Sequence, residues 1–519
     1  MRQLITNVLI VDGTGSPARG GEVLIVDGSI ARVSYRRGGI GAASAPVFDG
    51  RGLMLTPGFI DAHGHSDMSL LAAPEAVGKI SQGITSEVAG NCGLSPFPVT
   101  DLNRDHLEAL WRGYDVRITW SDYVGYRREL LRRAPAINLY SQCGHNTLRA
   151  AVAGYEKEAL SSAELNAMKC LLLRELQSGA VGFSTGLLYT PGVFSTSDEL
   201  VALLRVLTPF LRVYTTHLRS EGNRLIESVE ESVRLCRESG QRYLHLSHLK
   251  TAGAANHHKI DELLELIRRD REDGRLTITA DRYPYIESLT QLSVTLPDPY
   301  DKMDDVSLMS FLQDDANFQT VAAALQAQGD ERLHRIRLVS TGYLPFKRYI
   351  GLKFLDISNI CLRSASSLIA ELLRRDAPGA MAAFCGMSVE NLRSILHLPF
   401  VACGTDESAR PQSFELGVSH PRGFGSMPRF IRMLTDEDFS FEAAVARVTS
   451  LPARIFNLSN RGSVAEDMAA DLVLLDPDRF YSEANFSQPH ELASGVAAVW
   501  VNGKLKYQPD AGRGCAISW

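Results

Sequence analysis

Short apolar segments alternate with long amphipathic segments through most of this chain of 519 residues, and this alternation limits its fold more than any other feature. Each apolar segment is long enough for one strand, and each amphipathic segment has the periodicity of a helix. Successive βα units of this kind build a parallel sheet covered by helices. Eight of them predict an α/β fold of the (β/α)8 TIM barrel type. The predicted strands are residues 58–61, 85–89, 137–141, 180–184, 213–216, 244–247, 276–280 and 400–404.

The two ends of the chain have a different pattern, with short β segments separated by turns such as Asp27-Gly28 and Asn502-Gly503. We expect residues 1–54 and 465–519 to pair into one small β-sandwich domain, and residues 55–464 to form the barrel. The gap between strands seven and eight is too long for one crossover connection. It predicts an insertion over about residues 288–360, after which a barrel helix resumes near residues 364–375.

Chemically active side chains lie just after several predicted strands. His63 and His65 follow strand one, His217 follows strand five, His248 follows strand six and Asp406 follows strand eight. A barrel presents its active site at these strand ends, and alternation along strand one points both of its imidazoles to the same side. Each residue alone also fits a structural role, as a hydrogen-bonded histidine or a helix-capping aspartate. Together they predict a metal centre.

Strand two ends in Gly90-Asn91-Cys92-Gly93, and a thiolate at Cys92 is a suitable soft ligand for Zn²⁺. A buried structural cysteine is the other interpretation, and it fits poorly beside Asn91 and two glycines. Strand four, in Gly182-Phe183-Ser184-Thr185-Gly186-Leu187, contains no lysine.

These motifs resemble the amidohydrolase superfamily and, within it, the D-aminoacylase and N-acyl-D-amino-acid deacylase family. The resemblance rests on residues 57–65, Gly90-Asn91-Cys92-Gly93, Gly144-His145, residues 182–191, residues 216–221, Ser247-His248-Leu249-Lys250, Tyr283-Pro284-Tyr285 and His420-Pro421-Arg422. It implies that Cys92, His217 and His248 hold a tightly bound zinc ion and that His63 and His65 contribute to a second, weaker site. It also implies that Asp406 is the catalytic acid/base.

The same resemblance assigns the α-carboxylate of the substrate to Lys250, Tyr283 and Arg422, and we expect Tyr189 and His145 among the substrate-binding residues. The implied reaction is hydrolysis of the amide bond of N-acyl-D-amino acids to a carboxylate and a free D-amino acid. Water activated by the metal would attack, and Asp406 would carry a proton to the leaving nitrogen. The preference for the D enantiomer follows from the resemblance alone.

The chain departs from the family at strand eight, where it has Gly404-Thr405-Asp406-Glu407 in place of Gly-Ser-Asp-Gly. Two interpretations of Glu407 are open: it repels an acidic substrate side chain, or it points away from the site. Two other functions are also open. One is hydrolysis of cyclic amides such as hydantoins, whose enzymes normally carry a lysine on strand four that bridges two metal ions. The other is a non-catalytic binding protein on this fold.

Composition excludes several classes of protein. With 54 Lys+Arg against 60 Asp+Glu the chain has no basic excess, so we expect no nucleic-acid partner. No apolar run reaches the roughly 18 residues of a membrane span, so we expect no membrane association. Eight cysteines without CxxC pairs favour a reducing cytoplasm. The expected partner is a small N-acyl amino acid substrate, and the oligomeric state does not follow from the sequence.

Overall fold

The structure is a computed structural model that describes residues 2–36, 38–41 and 45–509, and these residues form 20 strands and 19 α-helices. The strands are β1 Arg2–Ile10, β2 Arg19–Val26, β3 Ser29–Ser34, β4 Val47–Asp49, β5 Met54–Pro57, β6 Phe59–Asp61, β7 Ile84–Ala89, β8 Asn138–Ser141, β9 Cys143–Gly144, β10 Gly182–Gly186, β11 Val213–His217, β12 Tyr243–Leu246, β13 Thr277–Arg282, β14 Glu287–Gln291, β15 Ile336–Ser340, β16 Met381–Cys385, β17 Val401–Cys403, β18 Leu472–Leu475, β19 Val496–Val501 and β20 Lys504–Tyr507.

The helices are α1 Ser69–Ala72, α2 Val77–Ile80, α3 Arg104–Leu110, α4 Tyr123–Arg132, α5 His145–Ala153, α6 Ser162–Ser178, α7 Ser197–Leu207, α8 Leu225–Ser239, α9 Ile260–Glu272, α10 Asp305–Phe311, α11 Asp315–Ala327, α12 Glu331–His334, α13 Leu344–Lys347, α14 Phe354–Cys361, α15 Ala365–Asp376, α16 Val389–Leu396, α17 Arg422–Thr435, α18 Phe441–Val448 and α19 Ser450–Ile455. Among the residues described, no helix combines the length and apolar character needed to cross a bilayer.

The barrel consists of parallel strands in the order β6-β7-β8 and β9-β10-β11-β12-β13-β17. β8 and β9 are one strand interrupted at Gln142, and the two sheets join where the Val181 amide donates to the Ser141 carbonyl at 3.0 Å. The ring closes where the Ala62 amide donates to the Cys403 carbonyl at 3.1 Å. Each of the eight predicted strands overlaps a barrel strand. The predicted (β/α)8 fold is therefore confirmed.

Local sequence signals define the barrel helices, as α6 illustrates. It begins with a capping box, in which the Ser161 hydroxyl accepts the Glu164 amide and the Glu164 carboxylate accepts the Ser161 amide. It ends at Gly179, whose φ of +118° suits glycine. Met168, Leu172 and Leu176 form its buried stripe against the barrel.

Segments from both ends of the chain form one eight-stranded sheet in the order β20-β19-β18-β5-β1-β2-β3, with β4 also paired to β1. Trp500 lies in its core, contacts the edge of Phe48 at 5.0 Å and donates its indole N–H to Gln3 at 2.8 Å. Strands that are more than 400 residues apart in sequence therefore share one hydrophobic core. The boundaries expected at residues 54 and 464 stay predictions, and residues 510–519 of the C-terminal part lie outside the described residues.

The insertion between barrel strands seven and eight contains a second small sheet, in the order β14-β16-β15, and the helices α10 to α15. It has its own hydrophobic core, to which α15 contributes Leu368, Leu372 and Leu373. The insertion thus extends through β16, beyond the expected end near residue 360. The helix expected to return to the barrel near residues 364–375 packs inside the insertion, because an amphipathic pattern indicates that one face is buried without indicating against which core.

Candidate metal centre and active site

Cys92, His217 and His248 meet at the carboxyl ends of the barrel strands. Cys92 lies in the turn after β7, His217 is the last residue of β11, and His248 follows β12 by two residues. The Cys92 sulfur lies 3.4 Å from Nε2 of His248, and one potential ligand atom from each of the three residues falls within 4.8 Å of the others. Both ring nitrogens of His217 are buried and, among the residues described, have no hydrogen-bond partner.

A second group of potential ligands adjoins the first. The His63 Nε2 atom lies 3.4 Å from the Cys92 sulfur and 3.6 Å from a carboxylate oxygen of Asp406. The His65 Nε2 atom lies 3.1 Å from the same Asp406 oxygen. His63, His65 and Cys92 form one potential ligand set, and His63, His248 and Asp406 form another. Cys92 therefore belongs to two of the three sets found in the described residues.

Three of these residues adopt a left-handed backbone that side chains other than glycine rarely take. The φ angles are 52° at Cys92, 35° at His248 and 51° at Asp406. Such conformations persist only where the surroundings impose them, and they concentrate at functional sites. The turns at the strand ends therefore orient these side chains at a cost in backbone energy.

The thiol of Cys92 is acidic. Burial acts to raise its pKa, but His63 and His248 beside it hold that pKa well below the ordinary value. These neighbours therefore favour the thiolate, which is the form that binds metal. Cys143 and Cys236 lack such neighbours, and burial raises the pKa of both thiols.

Asp281 lies in β13, the seventh strand of the barrel, and orients two of the potential ligand histidines. Its carboxylate accepts hydrogen bonds at 3.0 Å from Nδ1 of His63 and from the backbone amide of His248, and it lies 2.9 Å from Nε2 of His245. Although burial acts to raise the pKa of Asp281, His63 and His245 lower it. A carboxylate on Nδ1 places the free lone pair of His63 on Nε2, toward the cluster. The sequence alone assigns Asp281 no role, although it directly follows the strand predicted at residues 276–280.

Glu221 performs the same task for His248. One of its oxygens lies 2.8 Å from Nδ1 of His248 and also contacts the Lys250 ammonium. With the proton of His248 on Nδ1 and donated to Glu221, Nε2 is free to face Cys92. The Lys250 ammonium also donates to the His248 carbonyl at 3.0 Å and lies 2.9 Å from Nδ1 of His248. Burial acts to raise the pKa of Glu221, but Lys250, His217 and His248 hold it well below its ordinary value.

Asp406 lies between the histidines and Arg422. Its second carboxylate oxygen is 2.9 Å from Nη1 of Arg422, and Arg422 also donates to the Asp406 carbonyl. Burial acts to raise the pKa of Asp406, whereas Arg422 and the hydrogen bond from His65 hold it well below its ordinary value. The carboxylate is therefore ionised at neutral pH, and with 11% of its side chain exposed it can meet a small molecule.

Tyr283 presents a buried hydroxyl that has no hydrogen-bond partner among the described residues. The guanidinium groups of Arg282 and Arg422 lie 4.0 and 4.6 Å from the centre of its ring. Burial acts to raise the pKa of Tyr283, but Lys250, Arg282 and Arg422 lower it. An unpartnered donor among cations is an environment that favours an anion.

The two remaining predicted substrate-binding residues are in different surroundings. Tyr189 packs against His217 with ring centres 4.9 Å apart, and its hydroxyl contacts Thr290 of the insertion at 3.1 Å. His145 is fully buried at the start of α5, where Nε2 lies 2.8 Å from Glu199. The structure thus brings Tyr189 to the cluster, whereas the hydrogen-bonding contacts of His145 in the described part of the chain are with Asn146, Ser195 and Glu199, and its role stays a prediction.

The buried Lys79 joins β6, the first strand of the barrel, to the turn after β17, the eighth strand. Lys79 contacts Asp61 at 2.6 Å, Thr405 at 2.7 Å and Glu87 at 3.0 Å. The same Asp61 carboxylate accepts the backbone amides of Thr405 at 2.8 Å and His63 at 3.2 Å. The Lys79–Asp61 pair therefore fixes the turns that carry His63 and Asp406.

The donor set suits a zinc ion. Tetrahedral Zn²⁺ with bonds of about 2.3 Å to sulfur and about 2.0 Å to nitrogen places these two atoms roughly 3.5 Å apart. The measured distances of 3.4 Å from the Cys92 sulfur to His63 and to His248 agree with that value. The unpartnered nitrogens of His217 provide a further ligand. These residues therefore fit a divalent metal with nitrogen and sulfur ligands.

Comparisons with known proteins agree with this site. A model of the amidohydrolase family matches residues 46–248 and 401–507. The chain is 31% identical to the N-acyl-D-aspartate deacylase of Alcaligenes xylosoxydans xylosoxydans over 96% of this chain and 91% of that protein. It is 30% identical to the D-aminoacylase of the same organism, over 98% of this chain and 95% of that protein.

A solved structure of a deacylase is also similar to this chain. It is the N-acyl-D-glutamate deacylase of Bordetella bronchiseptica, complexed with zinc and a phosphonate inhibitor that mimics the tetrahedral intermediate of the reaction. The TM-score is 0.80 at 31% identity, with 98% of this chain and 96% of that chain covered. The chain therefore belongs to the amidohydrolase family, in its branch of D-aminoacylases and N-acyl-D-amino-acid deacylases.

Proposed function

We propose that this metal-dependent hydrolase cleaves the amide bond of N-acyl-D-amino acids, and that it does so at the cluster of Cys92, His217, His248 and Asp406. The products are a carboxylate and a free D-amino acid. The relatives are named as deacylases of N-acyl-D-amino acids or as a D-aminoacylase, which supports a substrate that is N-acylated and has the D configuration. The reducing cytoplasm that we infer as its location is supported by seven free cysteines among the described residues.

Cys92, His217 and His248 would hold one zinc ion tightly, and His63 and His65 would contribute to a second, weaker site. A bound zinc ion would lower the pKa of a water molecule to about 7 and polarise the scissile carbonyl. Asp281 and Glu221 would keep His63 and His248 in the tautomer that presents Nε2 to the metal.

Asp406 would transfer the proton. Its carboxylate is ionised, lies within 4.8 Å of the ligand nitrogens of His63 and His248, and is partly open to solvent. It can accept a proton from the attacking water and donate it to the leaving nitrogen, as general acid/base catalysis requires of one group within reach of both. Arg422 fixes the other carboxylate oxygen, which keeps Oδ1 directed at the histidines.

Arg422, Tyr283 and Lys250 would bind the α-carboxylate of the substrate. The Tyr283 hydroxyl has no hydrogen-bond partner among the described residues, Lys250 supplies a buried ammonium, and Arg422 supplies a buried guanidinium. A carboxylate among these three groups would meet charge-assisted hydrogen bonds in a site of low dielectric, which are stronger than neutral ones.

The observation that carries the proposal is the position of His217. A buried imidazole whose two nitrogens form no hydrogen bond with the described residues is costly in a native protein unless a ligand satisfies it. One of its ring nitrogens lies within 4.8 Å of ligand atoms of Cys92 and His248, and its Nε2 atom is 3.9 Å from a carboxylate oxygen of Glu221. This arrangement is suited to activating water beside an amide.

The experiment is an assay of free amino acid released from N-acetyl-D- and N-acetyl-L-amino acids with acidic, aliphatic and aromatic side chains, with zinc added. We expect hydrolysis of D substrates and at least about 100-fold lower kcat/KM for their L enantiomers, the discrimination expected where a wrong substrate leaves buried polar groups unpaired. Equal rates for both enantiomers would exclude the proposed stereochemistry. Hydrolysis of hydantoins with no release from any N-acetyl amino acid would favour cyclic amide hydrolysis instead.

A further inference from the structure

Glu407 is a buried residue at the position where the D-aminoacylase family has glycine, and its carboxylate has no role in the proposed catalysis. The residue is 5% exposed. A buried charge is costly unless the surrounding structure compensates it, so its contacts should indicate its role.

The backbone of Glu407 is hydrogen-bonded to the turn that follows β6, the first strand of the barrel. Its carbonyl accepts the backbone amide of His65 at 3.1 Å and the ammonium of Lys79 at 2.8 Å. The first of these hydrogen bonds connects the turn that carries Asp406 to the turn that carries His65.

The carboxylate of Glu407 reaches away from the metal cluster to the start of α17. One oxygen accepts the Ser408 amide at 3.1 Å, and the other accepts the His420 amide at 3.3 Å. Nδ1 of His420 in turn accepts the backbone amide of Arg422, the first residue of α17, at 3.0 Å. A carboxylate at this end of a helix is also favoured by the helix dipole.

The Arg422 guanidinium consequently lies between two carboxylates. Its Nη1 atom is 2.9 Å from Asp406 and its Nε atom is 4.0 Å from Glu407, while its carbon lies 4.6 Å from the centre of the Tyr283 ring. Asp406 alone would attract this cation toward the histidines. Glu407 attracts the same cation at its Nε atom, over a distance of 4.0 Å and without a hydrogen bond.

Gly423 is part of the same arrangement. A Cβ atom at Gly423 would approach the Cγ atom of Glu407 to 2.7 Å, which is closer than such atoms come in real structures. The first turn of α17 is thus shaped to admit the Glu407 side chain.

From these contacts we propose that Glu407 is a positioning residue, which holds Arg422 in the place from which it reads the substrate carboxylate. This inference rests on the proposed function, because it assigns Arg422 to that carboxylate. It selects between the two interpretations left open by the sequence: the carboxylate points away from the reacting groups and acts through Arg422.

The test compares an N-acetyl-D-amino acid with its carboxamide, using Glu407→Ala and Glu407→Gln. We expect Glu407→Ala to raise KM about tenfold for the carboxylate substrate and to leave KM for the carboxamide nearly unchanged. Glu407→Gln retains an oxygen acceptor for the backbone amides, so we expect a smaller rise of about threefold. Glu442→Ala is the matched control, because Glu442 accepts the Ala18 amide at 2.9 Å and lies in the first turn of α18.

A double-mutant cycle with Arg422→Met distinguishes action through Arg422 from a general effect on folding. We expect Glu407→Ala to cause no further change in the preference for carboxylate over carboxamide once Arg422 is replaced. A lower KM in both Glu407 variants would overturn the inference in favour of repulsion of the substrate. Equal losses for both substrates would overturn it in favour of a structural role alone. A wild-type enzyme that turns over no N-acetyl-D-amino acid would overturn the proposed function and this inference with it.

Discussion

Cys92 is the residue on which the two potential ligand groups converge, so its replacement is the sharpest change at the residue scale. We predict that Cys92→Ala lowers metal affinity by more than the roughly 10–100-fold that loss of a supporting group costs, because no neutral side chain replaces the thiolate charge. Metal content after dialysis measures this. Cys236→Ala, at a buried free cysteine in α8, is the matched control and should retain wild-type metal. A Cys92→Ala protein with full metal content would show that Cys92 only fills space.

Asp406 allows a complementary prediction in which metal binding and turnover separate. Asp406→Asn should keep the metal and lower kcat by about 10²-fold or more, since an amide cannot carry a proton from water to the leaving nitrogen. Steady-state kinetics with parallel metal analysis measure both quantities. Near-normal turnover would assign the proton transfer to another group.

At the scale of elements, the turns after strands one and eight depend on the buried pair of Lys79 and Asp61. We predict that Lys79→Met destabilises the protein by about 3–5 kcal/mol, because it leaves Asp61 and Glu87 as uncompensated buried carboxylates. The change in urea midpoint measures this effect. Lys157→Met is the control, because Lys157 pairs with Glu164 at the surface, where such pairs contribute about 0–1 kcal/mol. Equal midpoints for the two variants would contradict this prediction.

The elements also show which parts of the site the sequence can predict. His217 and His248 are found from sequence because each follows an apolar strand, and a closed barrel brings all such ends together. The positive φ angles at Cys92, His248 and Asp406 have no comparable signal, because they arise from the contacts that each turn makes. The roles of Asp281 and Glu221 depend on which histidine nitrogen they face, which spacing along the chain does not specify.

For the whole molecule, the alternation of strands and helices predicts the barrel, and the turn-rich ends predict the joint terminal sheet. The extent of the insertion could not be predicted, because Leu368 and Leu372 of α15 would fit the barrel surface as well as the insertion core that buries them. Likewise, Tyr189 meets Thr290 only because the insertion folds back over the barrel. A contact of this kind between distant segments has no signal in the local sequence.

In the proposed mechanism, one metal ion held by Cys92, His217 and His248 is required for hydrolysis of N-acyl-D-amino acids. The direct measurement is a titration of chelator-treated enzyme with zinc, following release of free D-amino acid from an N-acetyl-D-amino acid. We predict no turnover without metal, activity that rises in proportion to the first equivalent of zinc per chain, and no recovery in His217→Ala at the same zinc concentrations. Full turnover by the metal-free enzyme, or a His217→Ala protein that titrates like the wild type, would contradict the account.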